Sequence, residues 1–127
     1  MPKLVLLKKP RDGVSRDELI EYLKTEHGPH NAQLPGVDYT LSVQVDPDED
    51  DAVPDDAEYY DSHELIPLDP DACEYDTLEI HEFDTIEELI EAHSSDHAEE
   101  AENRLHEFCD IEEDEIAFVA RDACIED

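Results

Sequence analysis

A histidine at the end of the first predicted helix is the strongest candidate for chemistry in this sequence. His27 continues the apolar stripe of that helix, whose members are spaced three and four residues apart: Leu19, Ile20 and Leu23. In this register the imidazole points toward the core side of the helix, at the C-terminal end of the helix. Since an imidazole has a pKa of about 6.5, it exchanges a proton close to neutral pH. We therefore interpret His27 as a candidate general acid or base.

A helix-terminal histidine also has a structural interpretation, in which the ring only stabilises the helix dipole. His30 fits a surface turn. On the third predicted strand His81 shares a face with Glu79, and Tyr39 lies on the second strand. Tyr39 and His81 are therefore candidate binding residues beside His27. The sequence leaves open which face of the third strand is directed toward the helices, and with the other orientation His81 would lie in a dimer interface.

Other metal and cofactor sites are weakly supported. His93 and His97 are four residues apart, a spacing at which two histidines on one helix can hold zinc or iron. The intervening residues 94–96 resemble a new N-cap, so free, solvent-exposed histidines are the favoured interpretation and no metal site is predicted. The acidic runs at 48–51 and 55–56 lack the glycine and the final glutamate of a calcium loop. With only 3 glycines, the chain has no phosphate-binding loop, and we expect no nucleotide cofactor.

The composition indicates a folded protein with a strongly acidic surface. Asp and Glu total 39 against 8 Lys and Arg, a formal net charge of −31, which argues against nucleic acid or an anionic membrane as a partner. Because 39% of the residues are hydrophobic and lie in periodic segments, a wholly disordered chain is not expected. We interpret the charge as that of a halophile, such as a haloarchaeon, since molar salt shortens the Debye length to roughly 3 Å and screens self-repulsion. An acidic interaction surface is the alternative.

The cysteines and the N-terminal segment bear on localisation. Cys73, Cys109 and Cys124 contain no CxxC pair and indicate neither a disulfide framework nor a zinc ribbon. The apolar run 4–7 is too short for a signal peptide and is followed directly by two lysines. We therefore expect a cytoplasmic protein with a single domain, residues 1–127.

The periodicity predicts the order strand, helix, strand, strand, helix, strand. The expected strands are apolar or alternating segments: 3–8, 37–45, 75–83 and 115–121. The first helix is expected over 16–27, ended by Gly28 and Pro29, and the second helical region is split in two near residue 95. An acidic, proline-containing insertion at about 46–74 is expected to form a long loop, part of which forms a short helix or an extra strand.

This order is that of the split βαβ, or ferredoxin-like, α+β fold, in which both helical layers cover one face of the sheet. The first and last predicted strands, however, are apolar on both faces. Something must therefore bury the second face, and a homodimer packed sheet on sheet meets this need.

The sequence resembles the EthD family of dimeric α/β-barrel proteins over about residues 3–45 and 75–121. Three motifs carry the resemblance: His27-Gly28-Pro29 after a helix, Leu34-Pro35-Gly36 before a strand, and Tyr75-Asp76 through Phe83-Asp84 before a helix. The chain departs from the family in the acidic insertion at 46–74, and in Tyr22 and Leu23, where relatives commonly carry Tyr-Trp. These departures put the pocket wall and the substrate in doubt.

The resemblance implies a homodimer with a small-molecule pocket between sheet and helices, and it implies that His27 is the pocket histidine. It further implies proton transfer without a cofactor, as in a lyase, cyclase, dehydratase or monooxygenase-like enzyme acting on a small aromatic or oxygenated compound. Two alternatives remain. One is a noncatalytic ligand-binding or stress-associated homodimer, and the other is a haem-binding version of the same fold with a proximal histidine.

Overall fold

A computed structural model describes residues 1–46 and 73–125 in full and the backbone of 58–61 and 64–67. The strands are β1 Pro2–Lys8, β2 Asp38–Val43, β3 Glu58–Asp61, β4 Glu64–Pro67, β5 Thr77–Glu82 and β6 Glu115–Arg121. The helices are α1 Arg16–Tyr22, α2 Gly28–Asn31, α3 Ile86–His93 and α4 Asp96–Leu105, with a π-helical turn over Leu23–His27 between α1 and α2. None of the helices in these ranges has the length and apolar character of a membrane span.

Four strands form an antiparallel sheet in the order β2-β5-β1-β6. The central pair are β1 and β5, which is the strand order of the ferredoxin-like fold. The predicted α+β class and ferredoxin-like topology are thus confirmed, as is the division of the second helical region into α3 and α4. The strands begin and end within two residues of the predicted bounds.

Side-chain hydrogen bonds explain where three helices begin. Ser15 and Glu18 form a capping box at the start of α1. Thr85 accepts a hydrogen bond from the backbone N–H of Glu88 at the start of α3. Ser95 caps α4 in the same way, through the N–H of Ala98, and this second cap separates α3 from α4.

The first helix does not end at Gly28 and Pro29, and that prediction is wrong. The helix widens into the π-helical turn, in which the Gly28 N–H donates to the Leu23 carbonyl, and then continues as α2 to Asn31. Proline lacks an N–H and its ring clashes with the preceding turn of a regular helix, so the wider turn accommodates Pro29 within a continuous helical segment. A Cβ on Gly28 would lie 2.6 Å from the Leu23 carbonyl oxygen and 3.3 Å from the Tyr39 ring, so this position has no room for a side chain.

The insertion at 46–74 contains regular structure in part. Its strands β3 and β4 pair with each other as an antiparallel hairpin, separate from the main sheet. This agrees with the predicted extra strand. The rest of the predicted loop, 47–57, 62–63 and 68–72, lies outside the described residues.

The two faces of the main sheet differ in what covers them. Toward the helices, two apolar clusters form the core; one includes Leu19, Leu23 and Leu105, and the other includes Phe83 and Ala98. On the opposite face, called here the outer face, the register aligns two rows of apolar side chains across three strands: Leu78, Leu7 and Ile116, and Ile80, Val5 and Phe118. The rows are half-buried or exposed, and Phe118 reaches 50% exposure.

Candidate functional site

A buried group of charged residues lies on the helix-covered face of the sheet, where the end of β1 is flanked by β5 and by the start of β6. Lys8 and Glu79 are both 0% exposed, and Lys8 Nζ lies 2.7 Å from Glu79 Oε2. The same Nζ lies 3.3 Å from Glu115 Oε2 at the start of β6. The antiparallel register brings these residues together. Lys8 is directly opposite Glu115, and Glu79 is opposite Leu6, which precedes Lys8 by two residues on the same face of β1.

This pairing fixes the charge state of both partners. Burial alone would raise the pKa of the Glu79 carboxyl, but the charge of Lys8 and contacts with His81 and His27 outweigh burial and lower that pKa. For Lys8, burial favours the neutral amine, but Glu79 and Glu115 raise the pKa. Glu79 is therefore a carboxylate and Lys8 an ammonium at neutral pH.

His27 lies at the last residue of the π-helical turn and is 5% exposed. Asn31, one turn further along, donates from Nδ2 to His27 Nε2 over 3.0 Å, and Glu79 Oε1 lies 3.7 Å from the same ring nitrogen. Burial, opposed by the negative charge of Glu79, lowers the pKa of His27 to about 4. His27 is therefore a neutral imidazole over the whole physiological pH range.

His81 approaches Glu79 from the same strand. Its Nε2 lies 3.6 Å from Glu79 Oε2, longer than a hydrogen bond, and its Nδ1 lies 3.2 Å from Nε2 of His93 on α3. The His81 and His93 rings stack with centroids 5.1 Å apart. Because His81 faces the helices, the orientation that the sequence left open is settled, and His81 does not lie on the outer face of the sheet.

Tyr39 contacts this group of residues from β2. Its ring centroid lies 5.0 Å from that of His81, opposite it in the strand register. Burial, followed by the negative charge of Glu79, raises the pKa of the Tyr39 hydroxyl. The hydroxyl is therefore held as a neutral O–H. Tyr39 is not among the residues that line the cavity described next, and its part in binding stays a prediction.

A small cavity of about 50 Å³ opens beside these residues, where the two apolar clusters meet. Its polar lining comes from three strands of the main sheet and from the helical segments that cover them: Lys8 of β1, His27 of the π-helical turn, Asn31 of α2, Glu79 and His81 of β5, His93 of α3, Glu102 of α4 and Glu115 of β6. Five buried polar atoms of the described residues have no hydrogen-bond partner, and three belong to these lining residues: His27 Nδ1, Glu79 Oε1 and His81 Nε2. Since buried polar atoms are almost always paired, these three atoms are available to hydrogen-bond a water molecule or a ligand in the cavity.

The remaining histidines of this region are not free, and the solvent-exposed interpretation of His93 and His97 is wrong. His93 contacts His81, as described above. His97 stacks on His30 with ring centroids 3.7 Å apart, and each ring nitrogen Nε2 of this pair bonds the backbone carbonyl of the other residue. His30 is accordingly a half-buried residue at the end of α2 and not a surface turn residue. No group of three metal-ligating side chains occurs in the described part of the chain.

Haem does not fit the site that the structure shows. The cavity beside His27 is far smaller than a porphyrin, and His27 Nε2 is engaged by Asn31.

The sequence pointed to His27 and His81, which the structure brings together around Glu79, but it did not point to Lys8 or His93. Lys8 was treated as the end of a strand, and His93 as a surface residue. The alternation along the third predicted strand does bear on Glu79. It places Glu79 on the same face as the apolar Phe83, so Glu79 is either buried there or at the edge of that face. No local pattern indicates Lys8, because its partners Glu79 and Glu115 lie far away in the sequence, on other strands.

No family model matches this chain, and no curated protein matches it. Solved structures do. An ethyl tert-butyl ether D (EthD) family protein from Bacillus halodurans C-125 superposes with a TM-score of 0.64 at 15% identity, covering 97% of this chain and 99% of that chain. The likeness shows the fold. A dimeric ferredoxin-like protein of unknown function from Thermobifida fusca YX gives a TM-score of 0.60 at 14% identity, covering 94% of this chain and 88% of that chain.

A third similar structure is a hydroxynitrile lyase from Passiflora edulis, with a TM-score of 0.61 at 10% identity and coverage of 94% of this chain and 90% of that chain. At such identities the chain shares an architecture with these proteins, and the architecture hosts several activities. The function must therefore be argued from the buried charged group itself.

Proposed function

We propose that this chain is an EthD-like enzyme that transfers a proton to or from a small oxygenated compound bound in the cavity, with His27 as the proton-transfer residue. The observation that carries the proposal is the set of unpaired atoms at the cavity: His27 Nδ1, Glu79 Oε1 and His81 Nε2. A lysine–glutamate pair buried only for stability would need no such unpaired neighbours.

His27 is suited to this role by its charge state and its hydrogen bonds. Being neutral at pH 7, the ring carries one proton and one lone pair. Because Nε2 accepts from Asn31, the ring orientation is fixed and the ring proton lies on Nδ1, the unpaired atom at the cavity. When Nε2 exchanges the Asn31 hydrogen bond for a proton, the Glu79 carboxylate, 3.7 Å from that nitrogen, stabilises the imidazolium that forms. Lys8 in turn keeps Glu79 ionised.

The charges around the cavity favour a neutral substrate. Of the residues that line it, Lys8 is the single cation, whereas Glu79, Glu102 and Glu115 are acidic. A carboxylate substrate would therefore meet net negative charge. We infer that neutral alcohols, phenols, carbonyl compounds and hydroxynitriles bind in preference to keto acids. That one similar structure is a hydroxynitrile lyase supports lyase chemistry as one form of the reaction.

We also propose that the protein is a homodimer joined through the outer face, and that it works at high salt. The first proposal rests on the two apolar rows on that face and on the dimeric ferredoxin-like neighbour. The second rests on the net charge of −31. If it is correct, the free energy of unfolding rises from dilute buffer to molar KCl. Equal stability in both media would contradict it.

A thermal-shift screen in molar KCl, followed by turnover assays on the hits, tests the catalytic proposal. The compounds are neutral phenols, quinones, aldehydes and hydroxynitriles, with keto acids and haem for comparison. His27→Ala is assayed beside His106→Ala, which removes an exposed histidine near the end of α4. Turnover that is lost in His27→Ala and kept in His106→Ala supports the proposal. Binding without turnover in the wild type would instead favour the noncatalytic ligand-binding protein.

A further inference from the structure

His93 is the one histidine of the buried group that reaches the surface. It is half-buried at the end of α3, whereas His81 is 2% exposed and Glu79 is fully buried. From β5 it is faced by His81 and by Phe83, whose ring meets it edge-on at 5.9 Å between centroids. Glu102 of α4 shares the cavity lining with it. The three residues His93, His81 and Glu79 thus form a continuous line from the edge of α3 to the buried carboxylate.

The contact between His93 Nε2 and His81 Nδ1, 3.2 Å long, requires one ring to donate and the other to accept. If His81 donated from Nδ1, its Nε2 would turn a lone pair toward the Glu79 carboxylate at 3.6 Å. If His93 donates, His81 carries its proton on Nε2 and directs an N–H toward that carboxylate. The second arrangement is electrostatically favoured, because the carboxylate is held ionised by Lys8.

We propose that His93 is a positioning residue that donates from Nε2 to His81 Nδ1, holds His81 with Nε2–H toward Glu79, and completes a two-histidine proton path between the surface and the buried carboxylate. This inference deepens the proton-transfer function proposed above and depends on it for its catalytic meaning. The arrangement of protons on His81 can be measured without any substrate.

The proton path is balanced when each ring gains one proton and gives up another. Water delivers a proton to the free Nδ1 of His93, and the Nε2 proton of His93 passes to Nδ1 of His81. The Nε2 proton of His81 then passes to Oε2 of Glu79, after the 3.6 Å gap shortens to hydrogen-bond length. One solvent proton has reached Glu79, and both rings are neutral with the opposite tautomer. The reverse sequence returns the proton to water and restores the resting state.

Nitrogen-15 NMR of the histidine side chains, in protein without ligand at neutral pH and in molar KCl, tests the proposal. The tautomer of His81 is read from its ring-nitrogen shifts in the wild type and in two variants. His93→Gln places an amide N–H near the position of Nε2 but cannot pass a proton through, and His93→Phe keeps a ring without any donor. His106→Gln is the control, since its side chain is exposed.

We expect the Nε2–H tautomer of His81 in the wild type and in His93→Gln, and a mixture of tautomers in His93→Phe. We also expect exchange of the His81 Nε2 proton with water to slow by at least about tenfold in His93→Gln, as loss of a positioned proton carrier requires. The Nδ1–H tautomer in the wild type, or an unchanged tautomer in His93→Phe, would overturn the positioning role. Unchanged exchange in His93→Gln would overturn the proton path. Should His93→Phe not fold, the wild-type tautomer still decides the first point.

These outcomes are separable from failure of the catalytic proposal. If His81 has the expected tautomer but no compound is turned over, the proton arrangement stands and the enzyme assignment falls. If turnover depends on His27 but His81 carries the opposite tautomer, the enzyme assignment stands and His93 has no part in positioning.

Discussion

The two faces of the sheet invert the usual distribution of residues. Between the helices and the sheet, a lysine, three glutamates and three histidines surround a small cavity, whereas the outer face, which the described part of the chain leaves uncovered, carries two rows of apolar side chains. Burying ionised groups is costly and exposing aligned apolar rows is equally unfavourable. The contrast between the two faces is what supports both proposals, a ligand bound at the covered face and a second copy of the chain packed on the outer face.

The largest expected effect comes from breaking the buried ion pair. Lys8→Met leaves Glu79 uncompensated in a fully buried position, and we expect it to lower the free energy of unfolding by about 3–5 kcal/mol. Urea denaturation in molar KCl measures the change. Lys9→Met is the matched control, since Lys9 is the next residue and its pair with Glu74 spans 3.6 Å at the surface.

A double variant sharpens the same prediction. In Lys8→Met with Glu79→Leu, both charges are replaced by apolar groups of similar size, and we expect most of the lost stability to return. A double variant as unstable as Lys8→Met alone would show that the loss comes from packing and not from an unpaired charge.

The next effect is acid destabilisation, which the buried groups of the helix-covered face should dominate. Burial lowers the pKa of His27 to about 4, whereas the unfolded chain titrates near 6.5. Between these values the unfolded state binds more protons, so stability is constant above about pH 6.5 and falls toward pH 4, by up to about 3 kcal/mol from this residue. Glu79, whose pKa is also lowered, adds a loss at still lower pH.

Urea denaturation at pH 8, 6.5 and 5 measures this dependence. In His27→Gln the decline below pH 6.5 should flatten, with a remainder from His93, whose pKa burial lowers to about 4. His106→Gln should follow the wild type. An equally steep decline in His27→Gln and the wild type would show that the acid response lies elsewhere.

Substitutions on the outer face should change the oligomeric state, with little effect on how stability depends on pH. Phe118 lies in the second apolar row and is 50% exposed in one subunit, and Phe118→Asp places a charge in the proposed interface. We expect this variant to sediment as a monomer at concentrations where the wild type is a dimer, with about a tenfold or greater rise in the dissociation constant. Val119→Asp, at the adjacent position on the opposite face of β6, should remain dimeric. A wild-type monomer in molar KCl would contradict the interface outright.

The sequence predicts the features that depend on neighbouring residues, and it misses those that depend on contacts between distant segments. The alternation along β5 and the caps at Ser15 and Ser95 are local patterns, and they led to the confirmed strand order and split helix. The π-helical turn was missed because Gly28-Pro29 ordinarily ends a helix, whereas here the wider turn accommodates Pro29 and the helix continues. The pairing of His93 with His81 was missed because it joins two elements whose relative position is set by the whole fold.

The smallest expected effect concerns salt, and it separates the buried charges from the surface charges. Salt screens exposed ion pairs and leaves pairs excluded from water largely unaffected. The loss caused by Lys9→Met should therefore be under about 1 kcal/mol in dilute buffer and vanish in molar KCl. The loss caused by Lys8→Met should change by less than about 0.5 kcal/mol between the same media, because both partners are excluded from water. Unfolding free energies of the two variants and the wild type at low and high KCl give both numbers. If the Lys8 loss also vanished in salt, ions would have reached the buried group, and the argument that the net negative charge of the cavity selects an uncharged substrate would fail.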